Sequence, residues 1–396
     1  MRTLILGGQV LTPDETLDGY AVLIEDDHVA TLTNESVPAA ERTIDATGLR
    51  VVPGLIDLHV HGAVGSDVMD ATPQALTAME HFFVRHGVTA YLPTTMTASP
   101  PALLAALSNV ATAPASGGAQ RLGVHLEGPY VAAGQGGAQP ISWVRHPDPL
   151  EYATWLESAA VRVITLAPEL PGALELIEGA SRQGVHTSAG HTEATYEQIR
   201  QAVDRGLRQA THTFNAMSAL HHRQPGPVGA VLIDDRVYAE LIADGVHLHP
   251  AVVNLVVRAK GIDRVMLVTD AMRATGLSDG AYDLGGQTID VRAGVARTST
   301  GALAGSTLTL NAAVRNVQRF AQLTPNQALA MATRVPAEAL GLAGSKGVLR
   351  PGADADLLLV DADWNVHAAL VGGVESFDHR RTGQAHAQAT ETDLRG

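Results

Sequence analysis

The sequence predicts an α/β protein, a (β/α)8 TIM-like barrel carrying a small β-sandwich domain built from both chain ends. Three observations lead there. Helical patterns stop at glycine and run directly into an apolar strand four times, at His86-Gly87-Val88, Gln183-Gly184-Val185, Arg205-Gly206-Leu207 and Lys260-Gly261-Ile262. Glycine just past a helix end permits the left-handed cap, and the next run supplies the strand. Eight apolar runs are legible, near 51–60, 88–96, 121–127, 161–167, 185–190, 207–212, 237–243 and 264–269. Finally, the two ends of the chain share a strand-rich texture that the middle lacks.

At the amino end, Leu4-Ile5-Leu6 precedes Gly7-Gly8, and Tyr20 to Ile24 precedes Glu25-Asp26-Asp27. Neither run is long enough for an amphipathic helix, so both read as short strands. At the carboxyl end, Lys346-Gly347-Val348-Leu349 starts a strand, Pro351-Gly352 turns, and Asp356 to Val360 is a buried strand. Residues 1–52 and 345–396 are therefore expected to pair into the sandwich, with 376–396 as a polar, loosely held tail, and 53–344 to form the barrel. The first barrel helix has Thr72 as N-cap, Pro73 in the first turn, and Leu76, Met79 and Phe83 on one stripe. Helices alternating with buried strands imply a parallel sheet. Eight repeats over roughly 250 residues or more fit a closed barrel better than an open doubly wound sheet, and no G-x-G-x-x-G opens one. Gly, Thr and Ser break the rhythm at 278–306, which reads as a β-hairpin excursion after the eighth strand.

Composition narrows the function. The 396 residues are 45% hydrophobic and 17% charged, which is the balance of a compact globular protein. The absence of cysteine excludes disulfide scaffolds, thiolate zinc sites and cysteine nucleophiles. A formal charge of −14 with no basic block argues against nucleic acid as a partner. No apolar run reaches membrane-spanning length, and the opening MRTLILGGQVLTPDE lacks the core and cleavage site of an export signal, so a cytoplasmic location is expected. What stands out is imidazole, with 17 histidines.

In such a barrel, catalytic groups sit where strands end and loops begin. Ligand-type residues collect there: His59 and His61, Glu127, His191, His212, His247, and Asp270. In an extended chain residues two apart share a face, so His59 and His61 project together. Imidazoles and carboxylates converging from several strand ends are a ligand set for Zn2+, Mn2+ or Fe2+. The ordinary readings are core hydrogen bonding for His125 and His186, surface roles for His81, His86, His146, His221, His222, His367 and His379, and a helix N-cap for Asp270.

The run Pro53-Gly54-Leu55-Ile56-Asp57-Leu58-His59-Val60-His61, with Lys346-Gly347 and Gly352 to Leu357, resembles the amidohydrolase superfamily. His125 to Tyr130, Ala189 to Thr192, Thr211 to Met217, Ala243 to His247 and Leu303 to Ser306 resemble its N-acetylglucosamine-6-phosphate deacetylase family. These segments run in order from 53 to 357. The resemblance implies metal-dependent hydrolysis of the acetamide of N-acetylglucosamine 6-phosphate, giving acetate and glucosamine 6-phosphate. It assigns one divalent ion, zinc first and Fe2+, Mn2+ or Co2+ as alternatives, to Glu127, His191 and His212. A second ion is allowed at His59, His61 and Asp270, with Glu127 shared. Asp270 matches the general base. Arg223 and His247 match phosphate-binding residues, with backbone at Asn215 and Ala216 helping; Ala138, Gln139 and Leu303 fall at substrate-binding positions. The family is usually dimeric, its arginine lent by the neighbouring subunit. This chain departs at Gln139, where many members carry histidine; an amide can donate and accept but carries no charge.

Other branches of the superfamily bridge two metals with a carboxylated lysine after strand four. Here the only lysines are Lys260 and Lys346, neither near 161–170. That weakens ring-opening alternatives and a Schiff-base mechanism alike. A related acetamido sugar phosphate, an N-acetyl amino acid or a dipeptide are rival substrates, and a catalytically silent barrel is a rival of another class. The set of ligand-type residues weighs against silence.

Overall fold

A computed structural model describes residues 1–35 and 38–379. Eight parallel strands form the barrel: β1 (Leu55–Val60), β2 (Val88–Thr95), β3 (Val124–Glu127), β4 (Val161–Leu166), β5 (His186–Ala189), β6 (Gln209–Ala210), β7 (Tyr238–Leu241) and β8 (Val265–Leu267). Each pairs in parallel with the next from β1 to β8. Closure between β8 and β1 comes just past the strand ends, through a parallel bridge between Val60 and Ala271. There the Asp270 N–H donates to the His59 carbonyl at 2.9 Å, and the Thr269 hydroxyl donates to Asp57 at 2.6 Å. The ends of β1 and β8 are thus tied where the chemistry is expected.

All four helix-stop glycines have positive φ, from +73° to +119°. Gly87 is doubly constrained, because a Cβ there would meet Leu358 Cδ1 at 2.9 Å. The first barrel helix (Pro73–Arg85) is capped by Thr72, whose side chain accepts the Ala75 N–H, and it buries Leu76, Met79 and Phe83. These three belong to the continuous apolar core between helices and barrel.

The two chain ends do meet. One sheet has the order 374–378, 366–371, 357–360, 50–53, 9–11 and 16–17; a second has 28–33, 21–25, 2–6 and 42–45. Ile5, Val22, Val51, Leu357 and Leu359 share one apolar cluster between them.

Four details differ from the sequence expectations. The run 51–60 is two strands, because Arg50–Pro53 pairs with Leu357–Val360 in the sandwich while β1 starts at Leu55. Gly54 is the break: a Cβ there would lie 2.0 Å from the Thr89 hydroxyl oxygen. The sixth strand is only Gln209–Ala210, so His212 stands on a turn beyond it. The 278–306 excursion is a three-stranded antiparallel sheet, Gly280–Leu284, Gln287–Arg292 and Val295–Arg297. Its turns are Gly285-Gly286 and Ala293-Gly294, all at positive φ, as two-residue hairpin loops require. The loose tail expected from 376 does not begin there, since Val374–Asp378 is the edge strand of the larger sheet; the rest of that expectation, 380–396, lies outside the described residues. Among the described residues no helix is long and apolar enough to cross a membrane.

Candidate active site

The carboxyl ends of the strands open into a cavity of about 380 Å³. His61, Glu127, His191, His212 and Asp270 line its floor; Ala138, Gln139, Asn215, Ala216, His247 and Leu303 complete its walls. His59 is fully buried just beneath. Arg223 is the exception: it lies on the exposed loop after Ala216, its guanidinium bonded to the His222 ring at 2.8 Å, and is not among the lining residues.

Three trios among the described residues have the spacing of metal ligands, and two of them meet the cavity: Glu127 with His191 and His212, and His59 with His61 and Asp270; the third is His59 with His125 and Glu240. Glu127 lies between the first two. Its Oε1 is 3.1 Å from His191 Nε2 and 3.0 Å from His212 Nε2, while Oε2 is 3.3 Å from His61 Nε2. Asp270 Oδ1 is 3.3 Å from His61 Nε2 and 3.6 Å from His59 Nε2.

The other side of each ring shows which nitrogen faces the centre. His61 Nδ1 meets the Thr94 carbonyl at 3.1 Å, and His191 Nδ1 meets the Gln135 carbonyl at 2.8 Å. His59 Nδ1 meets Glu240 at 2.9 Å. Carbonyls and carboxylates only accept, so each of these Nδ1 atoms must donate, and it is Nε2 that faces the centre, as a donor to the carboxylates when protonated and as a ligand when not. The Nε2 atoms then face one another, His59 with His61 at 3.3 Å and His191 with His212 at 3.1 Å. Such a nitrogen and carboxylate donor set fits a divalent cation. His212 Nδ1 is buried and has no partner.

The local electrostatics agree. Burial pushes the Glu127 carboxyl up, but His59 and His191 outweigh it and hold it well below the usual range. Burial works against a charged His61 too, yet hydrogen bonds to Asp270 and Glu127 raise it to about 9. Asp270 is held low despite burial by His59 and His61. The pocket is therefore built to hold positive charge.

Backbone strain marks the same positions. His191, His212, Ala216 and Asp270 have φ of +47°, +28°, +49° and +49°. Non-glycine residues rarely enter this region, at a cost of about 1–3 kcal/mol each. The strained turns swing side chains from the strand ends into the cavity.

His125 has the core role foreseen as its ordinary reading. It donates from Nδ1 to the Leu58 carbonyl at 3.0 Å and takes the Thr165 hydroxyl at Nε2 at 2.7 Å. Burial lowers it to about 4, so it stays neutral. Lys260 is bonded to the Asp234 carbonyl at 2.7 Å, ahead of β8 and away from the cavity.

Sequence reasoning passed over two supports. Asp244 accepts His247 Nδ1–H at 2.7 Å and the main-chain N–H groups of Val246 and His247 at 2.8 Å each. Glu240 lies within the apolar run of β7, where a lone carboxylate was the available signal.

Gln139 is buried, with both ends of its amide engaged. Its oxygen accepts the Thr97 N–H at 2.8 Å, and its NH2 donates to Glu127 Oε2 at 2.6 Å. The amide at this position thus steadies the Glu127 carboxylate. Replacing Gln139 with leucine strands both partners and is expected to lower stability by about 1–3 kcal/mol. Urea unfolding of chelator-treated protein measures this; an unchanged midpoint would refute the bridging role.

The amidohydrolase family model matches residues 50–382. The chain is 43% identical over 332 residues to N-acetylglucosamine-6-phosphate deacetylase of Vibrio furnissii, covering 83% of each. It is 40% identical over 377 residues to N-acetylgalactosamine-6-phosphate deacetylase of Escherichia coli O157:H7, covering 94% of this chain and 99% of the relative. A solved mutant of the Mycobacterium smegmatis N-acetyl-D-glucosamine-6-phosphate deacetylase, in complex with N-acetyl-D-glucosamine-6-phosphate, superposes with a TM-score of 0.88 at 37% identity. It spans 95% of this chain and 99% of that one.

Proposed function

The chain belongs to the amidohydrolase family, and on that premise we propose that it hydrolyses the acetamide of N-acetylglucosamine 6-phosphate to acetate and glucosamine 6-phosphate. The observation that carries this reading is the pair of ligand trios, bridged by the contact of Glu127 with His61, at the floor of one sugar-sized cavity. Glu127, His191 and His212 would hold a divalent ion, zinc by its preference for nitrogen and oxygen donors, and His59, His61 and Asp270 would hold another. Such an ion, when bound, lowers the pKa of a water and polarises the amide carbonyl. Asp270, ionised and facing the cavity, accepts a proton from the attacking water. It then delivers that proton to the departing amine nitrogen, so one carboxylate serves as base and then as acid. His247 faces the same cavity; despite burial, Asp244 against its Nδ1 favours the imidazolium, whose Nε2–H can donate to substrate oxygens, and backbone at Asn215 and Ala216 adds to the wall.

Release of acetate from N-acetylglucosamine 6-phosphate by the metal-loaded protein tests the proposal; no release would sink it. The galactosamine isomer belongs in the same assay, because the relative matched over 99% of its length carries that name. A higher kcat/KM for that isomer would reassign the substrate.

Arg223 has a place in this reading only through a second copy. Its exposure outside the cavity supports a homodimer in which it reaches the neighbour's phosphate. A charge-assisted contact is worth about 1.5–3 kcal/mol. Arg223→Ala is therefore expected to raise KM for the phosphorylated sugar by roughly 10–100-fold, with kcat little changed and the non-phosphorylated sugar unaffected. Equal effects on both sugars would remove the phosphate role. The substrate's charge, which bars passage through a bilayer, supports the cytoplasmic location.

A further inference from the structure

We propose that Glu240 is the positioning residue that aims His59 and thereby makes a second cation possible beside the first. This rests on reading the two trios as metal ligands. Glu240 is fully buried in β7 and does not line the cavity. A single oxygen, Oε2, accepts from His59 Nδ1 at 2.9 Å and from the His212 main-chain N–H at 3.1 Å. One atom therefore holds a ligand from each trio.

The contact to His59 does two things. It fixes the proton on Nδ1, leaving the Nε2 lone pair towards Asp270 and His61. It also supplies a charged acceptor, whereas His61 and His191 are steadied by neutral carbonyls. An ionised partner makes the opposite ring nitrogen a stronger ligand. No other neighbour can do this. The ring of His125 packs edge-on to His59 at 4.8 Å, but both of its nitrogens are committed to Leu58 and Thr165.

A competing use of the same residues is a third cation site, because His59, His125 and Glu240 also have ligand spacing. The proton on His59 Nδ1 and the two engaged nitrogens of His125 leave no free ring lone pair facing Glu240. The hold on His212 matters as well, since its φ of +28° is a strained setting that an anchored N–H helps maintain.

The test is a cation titration of metal-depleted protein, with Zn2+ competed against a chromophoric chelator and bound metal counted after dialysis. Wild type is expected to take two ions per chain. Glu240→Gln keeps the side chain's shape and can keep an oxygen under the two N–H groups, its NH2 taking the place of the unpartnered Oε1, but that oxygen is no longer a charged acceptor. It is expected to weaken the second ion by about 10–100-fold, with the first changed by less than about threefold. If Glu240→Gln does not fold, Glu240→Asp, which keeps the charge but withdraws it by one methylene, carries the same expectation. Two ions at wild-type affinity in the variant, equal weakening of both, or a single ion in wild type would each overturn the proposal. Equal weakening is what a merely structural carboxylate would give. Acetate release measured on the same samples keeps the readings separate: a wild type that binds two ions yet deacetylates nothing would overturn the proposed function alone.

Discussion

Asp270→Asn is expected to reduce kcat for acetate release by about 10²–10⁴-fold, the contribution of a positioned general base, while KM and fold change little. Asparagine matches aspartate in size and keeps an oxygen, but it cannot accept a proton at neutral pH. The main chain at 270 is locked independently of the side chain. Its N–H donates to the His59 carbonyl at 2.9 Å, and its carbonyl accepts the Ser306 N–H at 2.7 Å. The substituted residue should therefore stay in place, and steady-state kinetics will report chemistry rather than collapse. Metal analysis of the same protein divides the two roles open to this residue. Loss of turnover with full metal content marks a base. Loss of turnover together with one ion marks a ligand whose absence removes the chemistry indirectly. Unchanged turnover would take Asp270 out of the mechanism.

Asp270 also shows what kind of information sequence carries. Its position after the apolar run Val265 to Val268 places it at the rim of the last barrel strand, and that was legible because strand order and rim are set by local pattern. The same holds in part for the four helix-stop glycines: all have positive φ and Gly206 is a left-handed cap, whereas Gly261, with ψ of 155°, leads into a 3-10 turn (Ile262–Arg264) before β8. The pairing of both chain ends was legible from texture, but the split at Gly54 was not, since it depends on Thr89 approaching from the neighbouring strand. Glu240 was missed for a similar reason. Within Val237 to Ala243 it is one polar residue in an apolar run, and only barrel closure brings His59 to it from 181 positions away. Arg223 is the converse, a residue assigned by motif that a single chain leaves outside the cavity. Spacing along the chain reveals residues that act from the same strand end; it is silent on supports that arrive from elsewhere.

The net charge of −14 bears on recognition. An acidic protein with an anionic substrate gains nothing from its overall field, so attraction must be local. The floor supplies it when cations are present, and that places a heavy demand on Glu127, a member of one trio whose carboxylate also reaches His61 and His59 of the other. Glu127→Ala is expected to strip both ions of a ligand and to lower kcat/KM by more than about 10²-fold, since outer partners of metal ligands alone cost 10–100-fold. Bound metal counted after dialysis should fall in parallel; full metal retention would refute the shared role.

The metal-free variant gives a second, opposite-signed readout with pH. In the wild type, burial lowers His61 but hydrogen bonds to Asp270 and Glu127 more than compensate, raising it from 6.5 to about 9. A group whose folded pKa is raised stabilises the fold fully below its unfolded value, and that stabilisation is lost as pH climbs through the folded one. Removing Glu127 withdraws part of this stabilisation. The alanine variant should therefore be destabilised most below about pH 6.5 and should approach wild type above about pH 9, as measured by urea unfolding in chelator. A pH-independent deficit would instead point to a packing defect left by the missing side chain. The pH profile thus separates the charge that Glu127 supplies to the site from the space it fills.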